Sequence, residues 1–261
     1  MTPVSADHWG GRPRDWANLA EPSNEPLFAE VLTRLGVGPG TRLLDIGCGS
    51  GYAAAMAAAR GARVTGIDIT PALIEIARER VADGEFVIGG MDELPFEDGR
   101  FDAAIGFNAF QFADEPTRAI GQAARVVRPR GLVAATTFAE PERNESTALH
   151  LALEPLRDAA PAAGRHLPYE LSAPAGLERL LASASLEPVD SGEVPLAWAH
   201  RDVDEAVRAV LASGGGAVAI EAAGEPAARA ALERAVAPFT GPDGSVRMNN
   251  VFRYAIARRP A

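Results

Sequence analysis

The chain has 261 residues, 47% of them apolar, and a formal charge of −10. That length accommodates one large domain with a small subdomain, and the negative charge argues against sequence-independent binding to a phosphate backbone. All 25 basic residues are arginine, which excludes a lysine-dependent phosphate loop and Schiff-base chemistry. The single cysteine, Cys48, cannot make an internal disulfide or a multi-cysteine metal site, and no His/Cys ligand spacing suggests a metal. The N-terminus shows no basic stretch followed by an apolar core, and AAAMAAA (53–59) is far too short to span a bilayer. A cytoplasmic protein with no membrane or nucleic-acid partner is expected.

In chain order, DHWGGRPRDWANLAEPSNEP carries Trp9 and Trp16 among polar residues. It is expected to dock on the domain as a lid, residues 1–40 in all. RLLDI (42–46) predicts a buried strand, and GCGSG turns the chain into the helix GYAAAMAAAR. ARVTGID (62–68) predicts a second strand. TPALIEIARERV predicts a helix with Thr70 as N-cap and Pro71 in its first turn. EFVIGG and FDAAIGF supply strands three and four. EPTRAIGQAARVV supplies a helix closed by a turn at Arg128–Gly131, and LVAATTF (132–138) a fifth strand.

Beyond Phe138, helices are expected over 144–157 and 174–183, joined by a Pro/Ala/Gly-rich stretch. A strand is expected within 186–198, helices over 202–211 and 226–235 separated by a Gly214–Gly216 loop, and a final strand over 245–259. Residues 41–138 read as a cofactor-binding core, 139–185 as a helical cap insertion, and 186–261 as the remaining strands and helices. Apolar strands alternating with helices imply a doubly wound parallel α/β sheet, with ligands beyond the carboxyl ends of its strands.

The glycine turn narrows the ligand. A dinucleotide fingerprint needs Gly-x-Gly-x-x-Gly. Here Gly47 and Gly49 fit, but Tyr52 takes the third position. Asp45, at the strand end, would face a pyrophosphate with like charge. The same carboxylate suits a cationic ligand such as S-adenosylmethionine (SAM), with its ammonium and sulfonium. Asp68, about twenty residues on, stands where an acid grips a ribose diol in either cofactor class.

LLDIGCGSG, VTGIDIT, MDELPFEDGRFDAAIGF and RVVRPRGLV, in this order and spacing, resemble the class I SAM-dependent methyltransferases, above all the bacterial group acting on quinones and other small molecules. The resemblance runs from about Thr41 to Phe138. It implies a Rossmann-like seven-stranded sheet with an antiparallel last strand, strands six and seven coming from 186–198 and 245–257. It further implies that Asp45, Gly47, Cys48 and Gly49 line the methionine end of the cofactor and that Asp68 holds the ribose. Ile69 and Met91 would pack on the adenine, and Phe107 and Asn108 would border the sulfonium. The acid that usually accepts from the adenine amino group is replaced by Gly90, which leaves Asp92 or water to take that contact.

By position, Phe112, Trp9 and Trp16 are candidates for the acceptor pocket, and Gln111, His150 and His166 for a catalytic group. Cys48 is expected to be structural, since nothing local activates it. The expected activity is methyl transfer to a small-molecule acceptor. The alternatives are a non-catalytic SAM-binding protein and, further off, an NAD(P)-dependent oxidoreductase. NNVF near Asn249 resembles the motif of base-modifying enzymes but falls in the final strand.

Overall fold

The computed structural model describes residues 5–157 and 171–261. Its strands are β1 (Arg42–Ile46), β2 (Arg63–Asp68), β3 (Glu85–Ile88), β4 (Phe101–Gly106), β5 (Val127–Phe138), β6 (Glu187–His200) and β7 (Val246–Arg258). They form one sheet in the order β3-β2-β1-β4-β5-β7-β6. The first five strands pair in parallel, and β7 runs antiparallel between β5 and β6. Strand order reverses at β1, which lies between β2 and β4. A crevice therefore opens beyond the carboxyl ends of β1 and β4, the place where such sheets bind ligands.

The apolar runs form this sheet because both of its faces are covered. Leu43 faces one core with Val64, Ala103 and Ile105. Leu44 and Ile46 face the other with Ala104, Phe101 and Val133. The helices of the parallel half are α4 (Tyr52–Ala59), α5 (Pro71–Arg80) and α6 (Pro116–Val126). The buried face of α4 is built from Ala53, Ala54 and Ala57, so its backbone lies close to the sheet.

Several local expectations change in detail. Thr70 occupies the N-cap of α5, but its side chain makes no capping bond; the Asp68 carboxylate instead accepts the Thr70 N–H at 2.9 Å. Helix α6 ends at Val126, and Arg128–Gly131 lies inside β5 as an irregularity. There Arg130 has φ 65° and donates its N–H to Arg259 O at 2.9 Å. Gly214–Gly216 is not a loop but the first turn of a helix, α10. The Ser213 hydroxyl accepts from Gly216 N–H at 3.1 Å, and Gly216 abuts Leu211 too closely for a side chain. A cap and close packing outweigh weak glycine propensity there.

The N-terminal segment comprises two short helices, α1 (Ala6–Gly10) and α2 (Pro13–Asp15), a π-helical turn (Trp16–Ala20) running into a 3-10 turn (Glu21–Asn24), and α3 (Glu25–Arg34). The described helices of 139–185 divide between two cores. Helix α7 (Thr147–Arg157) packs through Leu149 and Leu153 against α9 (Val203–Leu211), α10 (Gly214–Ala223) and α11 (Glu225–Val236), which lie between β6 and β7 in the chain. Helix α8 (Gly176–Ser183) lays Leu177, Leu180 and Leu181 on the sheet beside α6. No single helix among the described residues is long and apolar enough to cross a membrane.

Candidate functional site

The turn after β1 is fixed by main-chain bonds. The N–H groups of Gly47 and Cys48 donate to Ile67 O at 2.8 and 3.1 Å, which ties the turn to β2. Gly47 and Gly49 take φ of 69° and 53°, a region that side chains disfavour. Each also has a neighbour where a side chain would go. A Cβ at Gly47 would meet Ala109 Cβ at 2.8 Å, and one at Gly49 would land on the Glu21 carboxylate. The glycines therefore admit the β4 loop on one side and the N-terminal segment on the other. Tyr52, which spoils the dinucleotide fingerprint, donates its hydroxyl to Glu25 of α3 at 2.7 Å.

Three carboxylates converge on this turn. Asp68, at the tip of β2, accepts the Gly49 N–H at 2.9 Å through one oxygen and the Thr70 N–H at 2.9 Å through the other. Burial pushes its carboxyl above the ordinary range despite these bonds. Asp45, at the end of β1, is 2% exposed, and no described side chain or N–H donates to its carboxylate. Burial raises it to about 8, with further contributions from the negative charges of Glu21 and Asp68. A buried acid without a donor, beside two other acids, is costly unless a cation joins it. The arrangement fits a ligand carrying positive charge and opposes a diphosphate.

The third carboxylate, Glu21, was not singled out in the sequence. It lies in the N-terminal segment, 6% exposed, and accepts the Ser50 N–H at 2.8 Å and the Trp16 indole N–H at 2.9 Å. It also accepts the Ser50 hydroxyl and pairs with Arg80 of α5 at 3.1 Å. Burial raises its carboxyl, and these four contacts, from Ser50, Trp16 and Arg80, pull the other way. Arg80 additionally donates to Ser50 O at 2.8 Å and Ala17 O at 3.1 Å, and lies over the Tyr52 ring at 5.2 Å. Glu21 is separated from Ser50 by 29 residues and carries no motif, so its spacing gave no signal; its place beside two tryptophans and a proline was the available hint.

The other candidates follow the ends of β2, β3 and β4 or lie in the N-terminal segment. Ile69 follows Asp68 and is 41% exposed, a large apolar side chain presented at the tip of β2. The Met91 methyl reaches toward Gly47, 3.9 Å from where a Cβ would stand, and the space beside Gly90 is open. Asp92 is turned toward the loop before α6, accepting the Glu115 N–H at 3.4 Å. Past β4, the Phe107 ring meets Phe28 of α3 at 4.6 Å. Asn108 takes φ 49°, which asparagine tolerates, and exchanges two bonds with the Thr136 hydroxyl at 3.0 and 3.2 Å. Trp9 meets Trp16 at 4.9 Å and Phe112 at 5.5 Å, both edge to face. These three aromatic residues thus join the N-terminal segment to the β4 loop.

Gln111, between Phe110 and Phe112, is 3% exposed, and neither amide atom has a hydrogen-bond partner. Buried amides are nearly always paired, so this one is an open valence. His150 is not at the glycine turn; it packs edge-on to Phe138 at 6.0 Å, and burial lowers it to about 4, which keeps the ring neutral at physiological pH. His166 lies outside the described residues. Cys48 is buried and its thiol is pushed well up by burial and by the three acids, the reverse of activation. No group of metal-ligating side chains occurs among the described residues. In the final strand Asn250 accepts the buried Ser146 N–H at 3.1 Å, a structural bond.

Comparison with known proteins places this geometry. Residues 44–135 match the family model for a methyltransferase domain. The malonyl-acyl-carrier-protein O-methyltransferase of Serratia marcescens is 35% identical over 108 residues, 40% of this chain and 42% of that protein. The chain spans less than half the length of the first curated relatives it matches. Among solved structures, a SAM-dependent methyltransferase from Aquifex aeolicus aligns with a TM-score of 0.53 at 19% identity, covering 70% of this chain and 92% of that one. The cyclase SpnF aligns with a TM-score of 0.56 at 22% identity, covering 90% and 81%. At such identities these two speak for the fold alone. With its sheet order, its glycine turn and the matched family, the segment 44–135 is a class I SAM-dependent methyltransferase domain.

Proposed function

We propose that the chain transfers a methyl group from SAM to a small-molecule acceptor. The observation that carries this reading is Asp45, a buried carboxylate at the switch point of the sheet to which no described group donates. When bound, SAM supplies a methyl group already activated on a cationic sulfur. The protein's part is then to align and to exclude water.

Asp45, Gly47, Cys48 and Gly49 would hold the methionine end, with Asp45 supplying negative charge. Asp68 has lone pairs left after accepting from Gly49 and Thr70, and these would take the ribose hydroxyls. Ile69 and Met91 would cover the adenine. The open space at Gly90 leaves its amino group to water, since Asp92 is turned toward Glu115. Phe107 and Asn108 would border the reacting sulfur. Residues 5–40 form the lid, and Trp9, Trp16 and Phe112 wall the acceptor space. The Gln111 amide would meet the acceptor's polar group, since it can both donate and accept. His150, held neutral by burial, packs on Phe138 at the carboxyl end of β5 and stays a candidate for the proton transfer. The charge of −10 favours an acceptor other than nucleic acid.

The test is transfer of a labelled methyl group to a panel of phenols, enols, amines and carboxylic acids. Transfer to any of them supports the enzyme. Tight SAM binding with no transfer across the panel favours the non-catalytic SAM-binding alternative.

A further inference from the structure

The lid brings a carboxylate to the cofactor turn, and its placement suggests a role beyond docking. Glu21 stands on the face of Gly49 that a side chain would otherwise fill. Its carboxylate accepts the Ser50 N–H in the turn before α4. Its charge is felt by Asp45, which also feels Asp68 and has no donor among the described residues. When the lid is docked, three acids surround the turn, and Arg80, paired with Glu21 at 3.1 Å, balances one of them. A cation in the crevice stabilises the ionised form of these acids, whereas a neutral ligand leaves Asp45 holding its proton.

Methyl transfer changes that charge. The donor is a sulfonium cation, while the product, S-adenosylhomocysteine, is a thioether with a neutral sulfur. We propose that Glu21 is a specificity-determining residue of the cofactor crevice, carried in by the lid, that favours the sulfonium over the thioether and so couples lid closure to donor and lid release to product. This inference rests on the methyltransferase reading. It assigns Glu21 a part that mere attachment of the N-terminal segment does not require.

The experiment measures SAM and S-adenosylhomocysteine affinities by calorimetry on the full chain and on Glu21→Gln. The expected result is that Glu21→Gln narrows the ratio of the two affinities by about tenfold, the scale of one nearby charge in a protein interior, chiefly through weaker SAM binding. Glu21→Asp, which keeps the charge, restores most of the ratio. An unchanged ratio in folded Glu21→Gln overturns the proposal. A second measurement needs no variant. With each ligand saturating, tryptic cleavage after the exposed Arg14 should be slower with SAM than with S-adenosylhomocysteine. Equal protection overturns the proposal while leaving the methyltransferase reading intact. If the wild-type chain binds neither ligand, that reading falls as well.

Discussion

Gly49 donates its N–H to the Asp68 carboxylate at 2.9 Å, so the acid at the tip of β2 also sets the shape of the glycine turn after β1. Asp68→Ala should therefore act twice. SAM affinity should fall by more than about tenfold, and stability by about 1.5–3 kcal/mol for a charge-assisted hydrogen bond lost. Calorimetry and urea unfolding separate the two effects. Near-normal affinity would count against Asp68 as the ribose acid.

Asp45 makes binding depend on protons. Its carboxyl titrates at about 8 in the fold against roughly 4 in an unfolded chain. Between these values the folded protein holds a proton that the unfolded chain has released, so this residue's contribution to stability falls as pH rises through the window and levels off above pH 8. Asp45→Asn removes that component, and its stability relative to wild type should increase from pH 5 to pH 8. A cation in the crevice expels the same proton. SAM binding at pH 7 should release up to about one proton from wild type and fewer from Asp45→Asn, as read by calorimetry in buffers of different ionisation enthalpy. Equal release from both would show that Asp45 does not meet the cofactor's charge.

Arg80 holds the lid to the turn through Glu21, Ser50 and Ala17. Arg80→Ala leaves a buried carboxylate without its cation, which costs about 3 kcal/mol. The urea midpoint should fall accordingly. A loss under about 0.5 kcal/mol, the range of ordinary surface changes, would mean that the ion pair contributes little.

Gln111 predicts the opposite pattern. Its amide is buried without partners, so Gln111→Leu removes an unsatisfied polar group. Stability should hold or rise by about 1 kcal/mol, with SAM affinity unchanged. Methyl transfer should fall because the acceptor loses its polar contact. A destabilised variant with normal turnover would assign Gln111 to the core instead.

The parallel core was legible because its signals are local. Apolar runs of strand length, Thr70-Pro71 before a helix, and glycines between Asp45 and Tyr52 each report on their own backbone. The Asp45 carboxylate was legible as a charge for the same reason. Glu21 was not, because its importance comes from lying against Ser50, 29 residues away, and sequence spacing does not encode that contact. The glycines of α10 misled because a Ser213 cap and the tight contact with Leu211 outweigh their poor propensity. The division of α7 and α8 between two cores depends on which apolar face meets which neighbour, and periodicity shows that a face exists without naming its partner.

The most direct test of the anionic crevice is a paired titration of the full chain with SAM and with NADH at physiological ionic strength. Saturable SAM binding, with NADH failing to bind or to displace it, is the predicted result. Saturable NADH binding that excludes SAM would contradict the central claim.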